Sequence, residues 1–212
     1  MYMPAHFEEA RPEVLHALLR AHPLATWVVH GGDGLVVNHI PFLLDPDRGP
    51  HGTLIGHVAR ANPVWQRLGP SVVVFQGAQA YVSPSWYPSK REHGKVVPTW
   101  NYAVVHAHGT PRAIDSRDDK LAIVTRLTQE HEADSAAPWS VSDAPADYID
   151  QMLRAIVGIE IPIERWVGKW KASQNRALPD RLGTVAGLQQ RGDEQGLAMA
   201  ALVPTESAKP AR

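Results

Sequence analysis

No cysteine occurs among the 212 residues of this chain. Disulfides, thiolate chemistry and cysteine-ligated zinc are excluded together, and a reducing compartment is expected. No apolar run approaches the ~20 residues that a membrane span requires. Residues 1–11 lack a basic stretch followed by an apolar one, so no secretory leader is expected and the chain is read as soluble and cytoplasmic. An excess of either charge is missing as well. Lys and Arg number 21 against 22 Asp and Glu, a formal net charge of -1 with a pI near 6.8. A whole basic face for nucleic acid is thereby not supported, and any DNA contact is expected to be local. There is no HExxH or GxSxG setting, no internal repeat and no low-complexity tract. Gly31, Gly32 and Gly34 resemble a dinucleotide loop only in composition, because they sit in a hairpin turn and not at a helix start.

The chain does have ordinary core content, 44% hydrophobic, enough for one large or two small domains. The stretch 71–109 holds the densest chemistry. Val72 to Phe75 read as a buried strand, Gln76 and Gly77 as an interruption, and 78–83 as a second strand that ends at Pro84. A loop over 84–95 rich in Trp, Tyr, Pro and cation follows. Over 96–108, Trp100, Tyr102, Val104, His106 and His108 share one strand face, and Asn101, Ala103, Val105 and Ala107 share the other.

Elsewhere the periodicity predicts a helix over 12–21, a hairpin of strands 24–30 and 35–44, a strand over 53–58 and a short helix over 59–68. Ser116 is placed to cap a helix with Leu121, Val124, Leu127 and Thr128 on its apolar stripe. A second short helix starts near Pro145 with Tyr148, Ile149, Met152 and Leu153 apolar. In a strand over 157–164, Val157, Ile159, Ile161 and Ile163 face the core, Gly158, Glu160 and Glu164 face water, and Pro162 marks an edge or bulge. Short strands with tight turns and inserted helices imply a mainly β, α+β chain with a closed or nearly closed antiparallel barrel. The expected organisation is a barrel domain over 1–172, a helical extension over 173–204 packed on it, and a disordered tail over 205–212.

Two clusters mix cations with aromatics: Trp86, Tyr87, Lys90, Arg91, Lys95, Trp100 and Tyr102, then Arg165, Trp166, Lys169, Trp170, Lys171 and Arg176. A planar anionic ligand such as FMN would use such parts, cations for a phosphate and aromatics for a ring. The plainer reading, core or dimer walls with solvated cations, is favoured by spacing alone. The pairs His106 with His108 and His39 with His57 have metal-ligand character but no supporting carboxylates. Ser83, Ser85 and Ser173 lack a nucleophile's setting, so no catalytic constellation is legible.

The segments MYMPAHF, VNHIPFLL, GHVARANPVW, VFQGAQAYVSPSWYPSK, VVPTWNYAVVHAHG and VGIEIPIERWVGKWKASQNR together resemble the PaiB-type FMN-binding negative transcriptional regulators, in order over about residues 1–190. One position departs: Val64 stands where a polar residue is expected. The resemblance implies a split antiparallel β-barrel of FMN-binding type, related to pyridoxamine-phosphate-oxidase-like flavoproteins, forming a homodimer with FMN at the subunit interface. It implies a cofactor site drawing on Asn38 and His39, then His57, Arg60 and Asn62. Arg60 and Lys90 are the candidates for the phosphate, Ser83 and Thr99 for hydroxyl donors, and Trp86 and Trp100 for walls of the ring, with Asn101 beside them. Lys169, Lys171, Gln174 and Asn175 are expected to reach the site from the partner chain. The functions implied are a negative regulator acting directly or through a partner, an FMN-dependent oxidoreductase, or a heme-handling split barrel with an axial histidine.

Overall fold

The structure is a computed structural model that describes residues 1–32 and 34–206. In chain order its elements are β1 (Glu8–Glu9), α1 (Pro12–Ala21), β2 (Leu24–Gly31), β3 (Gly34–Pro41), β4 (Leu43–Asp45), β5 (Thr53–Ala59), β6 (Ser71–Val82) and α2 (Ser89–His93). They continue with β7 (Thr99–Gly109), β8 (Arg112–Ile114), α3 (Arg117–Glu132), α4 (Ala146–Arg154), β9 (Ile156–Lys171), α5 (Leu178–Arg191) and α6 (Glu194–Leu202). Asp33 of the expected turn and residues 207–212 of the expected tail lie outside the described residues. Thr205 and Glu206 are described, and the Glu206 carbonyl accepts from the Arg181 guanidinium at 3.1 Å.

The chain divides into two compact units, 16–75 with 106–166, and 1–15 with 76–105 and 167–212, so β6, β7 and β9 each contribute to both. In the first unit β2 and β3 form an antiparallel hairpin closed by Gly31 opposite Gly34. β2 also pairs with the start of β6, and β5 lies between β4 and the first half of β9. The core holds Trp27, Phe75, Leu54, Ile159 and Ile161. Ile123 and Leu127 of α3 pack on Ile55. Ser116 caps α3 as expected, its hydroxyl accepting from the Asp119 N–H.

Several expectations are corrected in this unit. Residues 59–68 form only a single 3-10 turn, Pro63–Gln66, because Asn62 caps it through the Val64 N–H and the chain then leaves for β6. The buried residues of α3 are Lys120, Ile123 and Leu127; of the expected stripe Leu127 is among them, while Leu121, Val124 and Thr128 are half-buried, and Lys120 reaches Asp115 at 2.9 Å. On α4 only Leu153 of the expected apolar set is buried. Of the face of β9 expected to meet water, Glu164 is exposed, but Gly158 and Glu160 are buried: Gly158 pairs with both β5 and β8, and Glu160 lies between Arg48, 2.8 Å away, and Arg112, 3.4 Å away. Pro162 is in an interior strand. It is tolerated because β5 begins opposite it at Thr53 and the next bond, from the Ile163 N–H to the Gly52 carbonyl, needs no proline donor.

In the second unit, β6 runs unbroken through Gln76 and Gly77, and β9 continues to Lys171, where β1 pairs with Gly168 and Lys169. The small face of β6 and β9 (Ala78, Ala80, Ala172) is covered by Leu188 of α5 and by Met199 and Ala200 of α6. The segment 84–93 is fastened to α5. Trp86 lies on Gly183 and Gly187, whose missing side chains leave it room, and Asp180 accepts from the Ser89 hydroxyl at 2.7 Å and from its backbone N–H at 3.2 Å.

Candidate functional site

Two groups of expected site residues come together, one in each unit. In the first unit the turn after β5 is tied to β3: the Val64 N–H donates to Asn62 Oδ1 at 3.0 Å, and Asn62 Nδ2 donates to Asn38 Oδ1 at 2.7 Å. Val64 is buried, so the departure from the expected polar residue leaves the turn's geometry intact: the backbone N–H does the bonding. Asn38 Nδ2 and His57 Nδ1 are buried with no hydrogen-bond partner among the described residues, and so is Nε1 of the fully buried Trp27, which lies opposite Asn38 in the hairpin register. Buried polar atoms are seldom left so. His39 pairs with the Thr26 hydroxyl at 3.2 Å.

Arg60 is engaged otherwise. Its guanidinium forms a two-point pair with Asp115 and donates to the carbonyls of Arg154 at 2.7 Å and Ile156 at 3.2 Å, over the Trp65 ring. The Arg60 hydrogen bond, then that of Lys120, holds the Asp115 carboxyl down to about 2.

In the second unit, Lys171 Nζ donates to the Thr99 hydroxyl and, at 2.6 Å, to the Trp100 carbonyl. Lys169, only 6% exposed, donates to the Tyr2 carbonyl at 3.0 Å and lies over the Tyr2 and Tyr102 rings. Arg176 lies over Tyr87. Among the described residues none of these three cations is paired with a carboxylate. Burial, then the nearby Lys169 and Arg176 charges, pushes the Lys171 ammonium below its ordinary value. Asn101 Nδ2 donates to the Ser173 hydroxyl at 2.9 Å while its buried Oδ1 has no partner among the described residues. Ser173 has φ 64, a left-handed conformation that costs a non-glycine residue energy and is common where a site imposes it. Trp100 and Tyr81, 50% and 43% exposed, meet edge to face at 6.2 Å, and Gln79 Oε1 accepts from the Trp100 indole at 3.2 Å.

The remaining expected residues are placed as follows. Gln174 closes the turn after β9 on the Ala172 N–H and Trp170 carbonyl, and Asn175 is exposed. Ser83 caps the turn Pro84–Trp86, and Lys90 donates to Ser85 Oγ at 3.0 Å. Trp86 rests on the α5 glycines. Sequence reasoning misses Trp27 and Asp115. Trp27 is within reach, since once Gly31 closes on Gly34, counting back along the hairpin sets Trp27 opposite Asn38.

His106 and His108 have ring centroids 6.3 Å apart, and no group of three or more His, Asp or Glu among the described residues is arranged to hold a metal. Burial holds the imidazoles of His57, His106 and His108 below their ordinary value. Unfolded, each titrates near about 6.5 and binds more protons than the native state does below that pH. Stability is therefore complete above about pH 6.5 and is lost as pH falls toward the native values. The melting temperature should drop between pH 7.5 and 5.5, and His106→Gln should flatten the drop; a pH-independent Tm contradicts this.

The strand order is that of a mainly antiparallel split β-barrel with flanking helices. The FAD and heme binding protein from Mycobacterium smegmatis shares that fold, with a TM-score of 0.58 at 20% identity over 77% of this chain and 73% of that one. Residues 1–165 match the family described as "Putative FMN-binding domain", and the chain belongs to that family. It is 33% identical over 241 residues to a protein of Emericella nidulans and 28% identical over 206 residues to the protease synthase and sporulation protein PAI 2 of Bacillus subtilis, with 96% of each chain covered in both cases. No helix among the described residues is long and apolar enough to cross a membrane.

Proposed function

We propose that the chain is an FMN-binding homodimer that acts as a regulator of the PaiB type, through a partner or small molecule and not by direct grip on DNA. The observation that carries the flavin reading lies within the second unit: cations without anions, beside exposed aromatic rings. They fit FMN, whose ring is planar and whose tail carries a phosphate. Lys171, Lys169 and Arg176 would meet the phosphate, Trp100 would lie against the ring, and Thr99 and Asn101 would line the approach. Arg60, with its donors committed, is a fastener in this reading, and Lys90 a secondary contact. Bound FMN would supply reversible electron transfer, a signal that a regulator can read. The likeness to PAI 2 supports the regulatory part, and the balanced charge of the chain argues against direct DNA binding.

The test is the visible absorbance of purified protein with and without added FMN. A flavin spectrum with tight retention supports the reading; an empty or heme spectrum that FMN leaves unchanged removes it. Gel-shift titration on upstream DNA should give affinity no better than for random DNA. One observation favours a second reading, an FMN-dependent oxidoreductase. The half-exposed Trp100 and Tyr81 pair leaves an aromatic face open to a second ligand, and steady NAD(P)H oxidation by the flavin-loaded protein would favour catalysis.

The homodimer is supported by β3, an end strand of the sheet among the described residues, whose Leu35 and Val37 are 71% and 55% exposed, with Val36 and Leu24 also exposed. An open apolar edge strand is a pairing template that monomers usually blunt with charge. Sedimentation should give a dimer at micromolar concentration, and Leu35→Asp with Val37→Asp should give a folded monomer. A monomeric parent protein, or a dimer unaffected by both changes, contradicts this.

A further inference from the structure

We infer that a groove between α3 and α4 of the first unit is a docking surface for a protein partner that presents a basic amphipathic helix. This rests on the reading of the chain as acting through a partner, and is independent of the flavin.

Residues 130–150 hold six Asp or Glu and no Lys or Arg, in a chain whose formal net charge is only -1. Acidity is concentrated here. The segment after α3 folds back on that helix, because the Trp139 N–H donates to the Glu132 carboxylate at 3.1 Å and Ser140 caps the 3-10 turn Val141–Asp143. Along α3, that segment and the start of α4 line two open cavities of about 350 and 480 Å³, which share Thr125, Ser140 and Val141. They make one groove. Leu121, Val141, Ile149 and Trp139 line it, the first three only half-buried and Trp139 47% exposed. On α4, Tyr148 and Met152, one turn apart and 51% and 38% exposed, extend the apolar surface beside Ile149. Contiguous apolar surface with a polar rim marks an interaction site.

The charge selects the occupant. Arg117, the cation that lines the groove, is committed to Asp150 at 2.6 Å and Asp118 at 3.1 Å. Glu132, Asp134, Asp143 and Asp147 pair with no cation among the described residues. Such a face repels nucleic acid and anionic lipid, and two copies of it repel each other, whereas β3 carries no charged residue and suits a second copy better. A helix with an apolar stripe flanked by Lys or Arg meets both features at once. Its stripe enters the groove and its cations meet the acidic rim.

The probe is a synthetic peptide of leucine and lysine, about 14 residues long and amphipathic as a helix, titrated calorimetrically beside one of the same composition with its leucines spread around the helix. The parent protein should bind the amphipathic peptide at least about tenfold more tightly, and affinity should fall as salt rises. Trp139→Ser should weaken it by about tenfold or more, as loss of an aromatic anchor does. Glu132→Gln with Asp147→Asn keeps the acceptors for the Trp139 and Tyr148 N–H groups and removes two charges. Affinity should then fall about three- to tenfold and depend less on salt. Melting temperature and FMN retention should match the parent's in every variant, which separates a lost docking face from a lost fold. Equal affinity for the two peptides, binding of neither, or a Trp139→Ser protein that binds as the parent does overturns the inference and leaves the flavin reading standing. A dimeric parent that becomes monomeric in Trp139→Ser overturns it too, since a second copy then fills the groove, as does capture of anionic phospholipid vesicles that Trp139→Ser abolishes. Parent protein that binds the amphipathic peptide but no flavin overturns the flavin reading alone.

Discussion

Gly183→Ala should cost about 1 to 3 kcal/mol of stability, even though alanine is the better helix former by about 1 kcal/mol. A Cβ at Gly183 would stand 2.1 Å from the Trp86 carbonyl oxygen, and one at Gly187 would stand 2.2 to 2.5 Å from three atoms of the indole itself. The first clash is with main chain, which cannot rotate away. Segment 84–93 would have to lift from α5, loosening the Ser89 contact to Asp180. For a chain of this size that is a Tm lower by roughly 3 to 10 °C. Gly32→Ala is the control, since a Cβ there meets nothing within 4 Å and should leave Tm unchanged. Equal melting of all three proteins would mean that Trp86 is not seated on α5.

What can be read from the sequence is local chemistry. The α3 cap at Ser116, the span of α1 with its buried Leu15, Leu18 and Leu19, the tight hairpin and the buried small face of β7 all follow from spacing over a few residues, and the resemblance supplies the barrel and the flavin. Strand continuity is not readable. Gln76 and Gly77 look like an interruption, yet β6 runs through them without a break. Apolar alternation fades after Ile163, so the end of β9 looks like loop, although Lys169 and Lys171 keep the period of two that puts them on one face. Arg60, seen only in its turn, looks like a ligand group. Its partner, Asp115, is 55 residues away, and no local pattern reports a pair at that separation. For the same reason Glu160 looks like a solvent group: the two arginines that make its burial tolerable come from other parts of the chain.

Lys171 is where loss of a charge should be felt most by the ligand and least by the fold. Its ammonium is disfavoured by burial and by the charges of Lys169 and Arg176, so removing it relieves the native protein of a repulsion while depriving an anion of a partner. Lys171→Gln should keep or raise Tm, weaken FMN by about ten- to a hundredfold through loss of a charge-assisted hydrogen bond, and leave riboflavin, which has no phosphate, nearly unchanged. Arg60→Gln should do the reverse, lowering Tm and moving FMN and riboflavin in parallel, because it removes a fastener and not a ligand contact. The pH dependence has a definite sign. A phosphate prefers the protonated lysine, so by linkage its binding raises the depressed Lys171 value toward normal, and FMN affinity should fall as pH rises through the value of the free protein. Riboflavin affinity should not follow. Parallel loss of both flavins in Lys171→Gln, or an FMN affinity that ignores pH on the alkaline side, would place the phosphate elsewhere and leave the cation cluster without a flavin to bind.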